Sequence, residues 1–347
     1  MWAMIVKEFR QLRRDRRTLA LMIFQPVLLL VVFGYAASFD VDSAPTLVVG
    51  PQAEAAAAGL PEFFDVTDTR STDGRAAAVD ALKRGEVAVA IIADRADPQM
   101  LLDGSELFTA RSAVTIAAGV PDAPEPEVLF NPDLETPPIM VPALAGLILV
   151  FIGTIVTSLG VVRERQAGTL EQLAVMPLRP RDVFVGKIGP YFLVAAADLF
   201  LVILAGIWLF DVPFEGSVVT MGVGAILFLF VTLGMGVLIS TVSENQGQAI
   251  QLAMISLLPQ ILLSGMIFPL EAMPGGVRWI GYILPLTYFI DIARGVMVRG
   301  APFDSLWMAL GMLALLGLVV FSLALLRFRK DLAPAGAERA DALAGAA

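Results

Sequence analysis

Apolar and polar positions divide this chain into two kinds of stretch. Residues 18–38, 139–162, 188–210, 218–242, 250–269 and 303–326 are runs of about 20 residues with almost no charge, the length an α-helix needs to cross hydrocarbon. These predict six transmembrane helices. Residues 39–138 alternate at short range instead. Thr46–Val49 and Glu86–Ile92 predict strands, with weaker strands at Phe63–Val66, Met100–Leu102 and Glu127–Phe130. Thr72–Arg84 predicts a helix capped by Thr72 and ended by Gly85, and Glu106–Ala118 a second. The fold class is therefore an α-helical polytopic membrane protein with a small α/β domain inserted between its first two spans. Prolines 121, 124, 126, 132, 137 and 138 predict a stiff exit from that domain.

Three further segments have their own pattern. In residues 1–17, Trp2, Ile5, Val6, Phe9 and Leu12 share one helical face, and Lys7, Arg10, Arg14 and Arg17 the opposite one. That is the signature of an interfacial helix with its basic face toward anionic lipid; the same charges also serve as a basic flank that sets orientation. Residues 163–187 are a polar island between two spans. Thr169 fits an N-cap with Gln172 three residues on. Leu170, Leu173 and Ala174 then fall on one face, which predicts a short amphipathic surface helix. Residues 270–302 are too broken by Pro and Gly to span cleanly. With Trp279, Tyr282 and Tyr288 they read as short re-entrant or interfacial helices. The tail, 327–347, ends in an Ala/Gly-rich stretch.

Charge supplies orientation. The chain carries a net charge of −9 and a mean hydropathy of +0.77, too apolar for a soluble protein of this length. Residues 39–138 hold 18 acidic and 6 basic residues, a net of −12, so the remainder is net positive. Lys and Arg number six in the N-terminal segment, five in 163–187 and four after Leu326, with none in 211–217. The positive-inside bias then puts both termini and the 163–187 loop in the cytoplasm, and the acidic domain outside. Two segments fit less well: the turn at 243–247 has no basic residue, and 270–302 has Arg278, Arg294 and Arg299.

Polar residues inside the spans are the candidates for chemistry. Asp198 lies about ten residues into its span, about 15 Å deep; it either marks function or, protonated or hydrogen-bonded, joins two helices. Glu244, Gln248 and Gln251 recur at helical spacing and face either a neighbouring helix or the cytoplasmic mouth of a pathway. Gln25 precedes Pro26 within the first span. Asp103-Gly104-Ser105 reads as a turn at a strand end. With no Cys and no His, thiol, imidazole and Cys/His metal chemistry are excluded. No P-loop, H-E-x-x-H or G-x-S-x-G motif occurs. No catalytic residue and no metal site is expected, nor any nucleic-acid partner.

Four strings carry a resemblance: KEFRQLRRDRRTLALMIFQPVLLLVVFGYA at 7–36, RERQAGTLEQLAVMPLRPRDVFVGKIGPY at 163–191, SENQGQAIQLAMISLLPQILLSGMIFPLEAMP at 243–274 and LPLTYFIDIARGVMVRG at 284–300. The chain resembles the membrane subunit of an ATP-binding-cassette exporter of the ABC-2 type, and more narrowly the bacterial multidrug-export permeases with an external domain after the first span. The resemblance implies that the loop after the second span holds the coupling helix that docks on a separate ATPase. That role falls on Glu164, Gly168, Thr169, Leu170, Glu171, Gln172 and Leu173, with Pro177 ending the contact. It also implies that ATP and Mg are bound by the ATP-binding subunit, with no cofactor on this chain. Two permeases would flank the pathway, as a homodimer or heterodimer, in the bacterial plasma (inner) membrane, with lipids and a periplasmic adaptor as further partners. The expected function is export of hydrophobic or amphipathic compounds, drug-like molecules or lipids, by a subunit that is not itself an enzyme. The alternative is a membrane sensor with the external domain as ligand receiver; against it, the cytoplasmic side lacks an output domain.

Overall fold

The computed structural model describes residue 20 and residues 41–121, 123–167 and 180–331. The expected N-terminal helix, the first span with Gln25 apart from residue 20, and residues 168–179 of the 163–187 island lie outside the described residues, as does the tail beyond residue 331.

Five strands form one sheet: β1 Ala44–Val49, β2 Phe64–Arg70, β3 Val89–Ile92, β4 Gln99–Asp103 and β5 Pro126–Leu129, in the order β2-β1-β3-β4-β5. β1 runs parallel to β2 and β3; β4 is antiparallel to β3 and parallel to β5. Both faces are covered. Leu47, Val49, Ala90, Ile92 and Leu101 pack with Ala78, Ala81 and Leu82 of α2 (Arg75–Arg84). Val48, Val89, Ile91, Met100 and Leu102 pack on the other face with Ala53 of α1 (Ala53–Ala57) and Ala110, Ala113 and Ala117 of α3 (Leu107–Ala117). Successive strand residues point to opposite faces, so strands covered on both sides read as unbroken apolar runs. The expected cap of α2 is corrected: Gly74, not Thr72, stands at its N-cap, while Gly85 ends it in the left-handed region at φ 69°.

Residues after β5 turn through Phe130 and Leu134, both at positive φ. Asn131 holds the turn: its Oδ1 accepts from the Glu135 N–H, and its Nδ2 donates to the carbonyls of Glu135 and Gly104. α4 then runs Pro137–Gln166 as one 30-residue helix, with proline in its first turn where the missing N–H costs nothing. The remaining helices are α5 (Pro180–Phe210), α6 (Val218–Val242), α7 (Gln246–Leu263), α8 (Gly275–Gly281), α9 (Pro285–Arg294) continued by a π-turn at Gly295–Arg299, and α10 (Trp307–Asp331). α4 and α5 both extend further into the polar island than the apolar runs that announced them.

Among the described residues, four helices are long and apolar enough to cross a membrane: α4, the Gly189–Phe210 part of α5, α6, and the Trp307–Arg327 part of α10. α8 and the helix from Pro285 to Arg299, bent by 75°, make a fifth if the pair crosses as one span. α7 (18 residues), expected as a span over 250–269, is not among the four because it carries Gln246, Gln248, Gln251 and Gln260.

α4 and α6 form the middle of the bundle, with about half of their apolar windows buried (50% and 56%), whereas α5 and α10 are at its margin (17% and 22%). The central pair approaches closely through small residues. A Cβ added at Gly236 would lie 2.9 Å from the carbonyl oxygens of Gly153 and Thr154, so backbone meets backbone there, as small residues permit between membrane helices. Phe228 of α6 stacks on Phe289 of α9 with ring centroids 4.4 Å apart and fastens the bent pair to the centre.

Candidate functional site at the sheet–bundle junction

The sheet meets the bundle through charge. β4 ends on Asp103, whose side chain is 1% exposed, and its Oδ1 accepts from the Ser105 N–H at 2.8 Å. The expected turn is there, but the other carboxylate oxygen faces Arg299 of the π-turn, 3.5 Å from Nη1. Arg299 is itself 5% exposed; it donates from Nη2 to Asp291 Oδ1 at 3.1 Å and lies 3.9 Å from Glu106. Its guanidinium presses on Gly85, where a Cβ would stand 3.0 Å away. Gly85 is thus required twice, for its positive φ and for this contact.

One turn back, Arg294 is also buried; Nε donates to the Ile139 carbonyl at 3.3 Å and Nη2 to that of Gly265 at 3.4 Å. In an α-helix residues five apart diverge by about 140°. The wider i→i+5 turn stacks them, so both arginines join one cluster; such π-turns concentrate at functional places. A second bridge, Arg84 to Asp304 at 2.6 Å, lies at the exposed edge of the junction.

Beside the cluster is a cavity of about 230 Å³. Glu106, Leu107 and Phe108 bound it from the sheet domain. Ile139 of α4, Ser264 and Met266 after α7, and Tyr282, Tyr288 and Arg294 of the bent pair bound it from the bundle. Burial pushes the Glu106 carboxyl up to about 7; Arg294 and Arg299 oppose the rise, and Glu271 and Asp103 add to it. Burial also raises Asp103, against the pull of Arg299 and its hydrogen bonds with Ser105. Asp103 and Arg299 are enclosed, whereas the Glu106 side chain is 37% exposed, so its carboxyl can exchange a proton with solvent. Among the described residues no group of acids is placed to hold a metal ion.

The sequence-predicted site residues lie elsewhere. Glu164 sits near the C-terminal end of α4 and lines a second cavity with Gly160 and Tyr191. Gly168, Thr169, Leu170, Glu171, Gln172, Leu173 and Pro177 lie outside the described residues, as does Gln25. At the root of the island, Arg165 donates to the carbonyls of Ser240 and Ser243 at 3.1 Å each, and Gln246 donates to Gln166. Asp198 is half-buried on α5, and its Oδ2 meets no hydrogen-bond partner among the described residues. The polar stripe of α7 divides. Gln248 serves the helix start: its Oε1 accepts from the Glu244 N–H, and its N–H donates to the N-cap Asn245. Gln251 instead leaves a buried Oε1 with no partner among the described residues. Glu244 is exposed at the turn.

Sequence reasoning did not single out Asp103, Glu106, Arg294 and Arg299 as a site. A signal was present. The two buried arginines are among the three cations that fit the charge bias poorly, and the sheet domain is strongly acidic. A misplaced cation beside an acidic domain is a candidate for a buried ion pair.

Comparison with known proteins agrees with this architecture. Residues 16–326 match the family model described as ABC-2 family transporter protein. A probable multidrug ABC transporter permease of Escherichia coli K12, YbhR, is 28% identical over 95% of this chain and 98% of its own length. The similarly named YbhS of the same organism is 30% identical over 86% of this chain and 88% of its own. ABC transporter G family member 20 of Dictyostelium discoideum is 27% identical over 53% of this chain and 26% of its own length. Chains of this family are the transmembrane subunits of ATP-binding-cassette transporters, which work with an ATP-binding subunit. With 16–326 matched, the apolar bundle in place and an α/β domain at its N-terminal side, the chain belongs to the ABC-2 family of transporter proteins.

Proposed function

We propose that this chain is the permease subunit of an exporter that moves hydrophobic or amphipathic compounds out of the cytoplasm or inner leaflet, driven by ATP hydrolysed on a separate subunit. In this reading it lies in a bacterial inner membrane, with both termini and the 163–187 loop cytoplasmic and the sheet domain outside. Two permeases flank the path. The names of YbhR and YbhS, as probable multidrug permeases, support the cargo class.

The observation that carries the proposal is continuity. α4 runs unbroken from the sheet domain's exit to the start of the 168–179 segment, and α5 leaves that segment at Pro180. A push on Thr169–Leu173 therefore enters two helices at once. Arg165 transmits it to the carbonyl end of α6, where a cation suits the helix dipole. At its other end α4 is held by Arg294 through Ile139, so motion at the loop reaches the sheet–bundle junction. Asp198 of α5 and Gln251 of α7, with partnerless buried oxygens among the described residues, are polar groups assigned to the cargo path in this reading.

The test is coexpression of the full chain with a cassette ATPase from the same genome. Copurification is expected, and Glu171→Lys should lower cargo-stimulated ATP hydrolysis about tenfold, the effect of losing one strong interface contact. Export by vesicles that contain the permease alone, or labelling of a Thr169→Cys variant from outside the cell, would sink the reading.

A further inference from the structure

We propose that the junction cavity is a binding site for a small organic cation with an apolar body, a quaternary ammonium or protonated amine, held between Glu106 of the sheet domain and Glu271 of the bundle. The charge of the walls selects the sign. Glu106, Glu271 and Asp291 line the space against one lining cation, Arg294. That guanidinium already donates to the carbonyls of Ile139 and Gly265, and Asp291 is paired with Arg299. Glu271 has no ion-pair partner among the described residues. Glu106 and Glu271 both line the space, and a positive charge placed between two carboxylates is attracted to both.

The second observation is independent of the acids. Ser264, 1% exposed, lines the cavity, and its Oγ has no hydrogen-bond partner among the described residues. A buried hydroxyl without a partner is costly. Here it leaves a hydroxyl dipole in the cavity wall that can turn toward a bound cation. The remaining wall suits the body of such a molecule. Phe108, Tyr282 and Tyr288 offer aromatic surface, and aromatic rings attract ammonium groups. At about 230 Å³ the space lies below the usual range for drug-sized ligands, about 300–1,000 Å³. It fits one ring with an ammonium head.

This site needs neither nucleotide nor partner subunit, so its failure leaves the export reading standing, and the reverse holds. Full-length protein in detergent at pH 8 is titrated calorimetrically with benzyltrimethylammonium, and with neutral benzyl alcohol and anionic phenylacetate as comparisons. The cation is expected to bind at least about tenfold more tightly than either, and Glu106→Gln and Glu271→Gln each to weaken it about tenfold. Glu271 is exposed at the cavity's edge, so Glu271→Gln carries the test if Glu106→Gln fails to fold. Equal affinity for benzyl alcohol, cation binding unchanged in the folded variants, or no cation binding at all would overturn the proposal.

Discussion

The two buried interfaces of this protein are built on opposite principles. Between α4 and α6 the contact is close and uncharged: Gly153 and Gly236 let backbones touch, and the buried Thr154, Thr157 and Thr232 pack around them. Between sheet and bundle the contact is ionic: Asp103, Arg294 and Arg299 are buried, and Glu106 and Asp291 border them with side chains 37% and 54% exposed. The first depends on shape and has nothing to titrate. The second depends on charge balance, so a proton, a cation or a lost partner can alter it. In a machine that must move, the shape-matched pair is suited to act as the rigid unit and the charged junction as the adjustable one.

Removing Arg299 should break the contrast most severely. Arg299→Met leaves Asp103 buried without its cation, a change of the kind that costs about 3–5 kcal/mol. The expected readout is protease cleavage between the sheet domain and α4 at concentrations that spare the parent protein. Arg84→Ala removes only the exposed pair with Asp304 and should cost under about 1 kcal/mol. If the two variants are equally sensitive, the buried cluster does not hold the junction.

A smaller effect is expected from the shape-matched side. Gly236→Val places a branched side chain against the carbonyls of Gly153 and Thr154 and should cost about 1–3 kcal/mol as overpacking. Thermal unfolding in detergent measures it, and the loss should be the same at pH 5 and pH 8, because no titrating group is involved.

The junction should behave differently across that pH range; with the Glu106 side chain 37% exposed, solvent screening makes this the smallest of the three effects. The folded Glu106 carboxyl keeps its proton up to about pH 7, against an ordinary value of 4.5. Between those values the folded state holds more protons than the unfolded one, so stability falls as pH rises through the window. Asp103, also raised, adds to the same trend. The thermal midpoint should be higher at pH 5 than at pH 8, and Glu106→Gln should flatten the slope. A midpoint that rises with pH would refute the assignment.

By itself the sequence determined which stretches are long and apolar, and where the strands of the sheet domain run. Both follow from the pattern along the chain: Val89–Ile92 alternates between two covered faces, and α6 carries no charged residue. It also determined the acidity of residues 39–138 and the cations of 270–302 that fit the charge bias poorly. Only the tertiary structure decided what those cations are for. No local pattern announces that the end of β4 will meet a π-turn nearly 200 residues later, because the Coulomb energy that pairs Asp103 with Arg299 depends on distance in space and on the exclusion of water, and neither is written in neighbouring residues. The same reason explains Gln248. Its place in a polar stripe suggested a pathway or a helix contact, but folding set it against the backbone of its own turn, where a cap is the nearer partner.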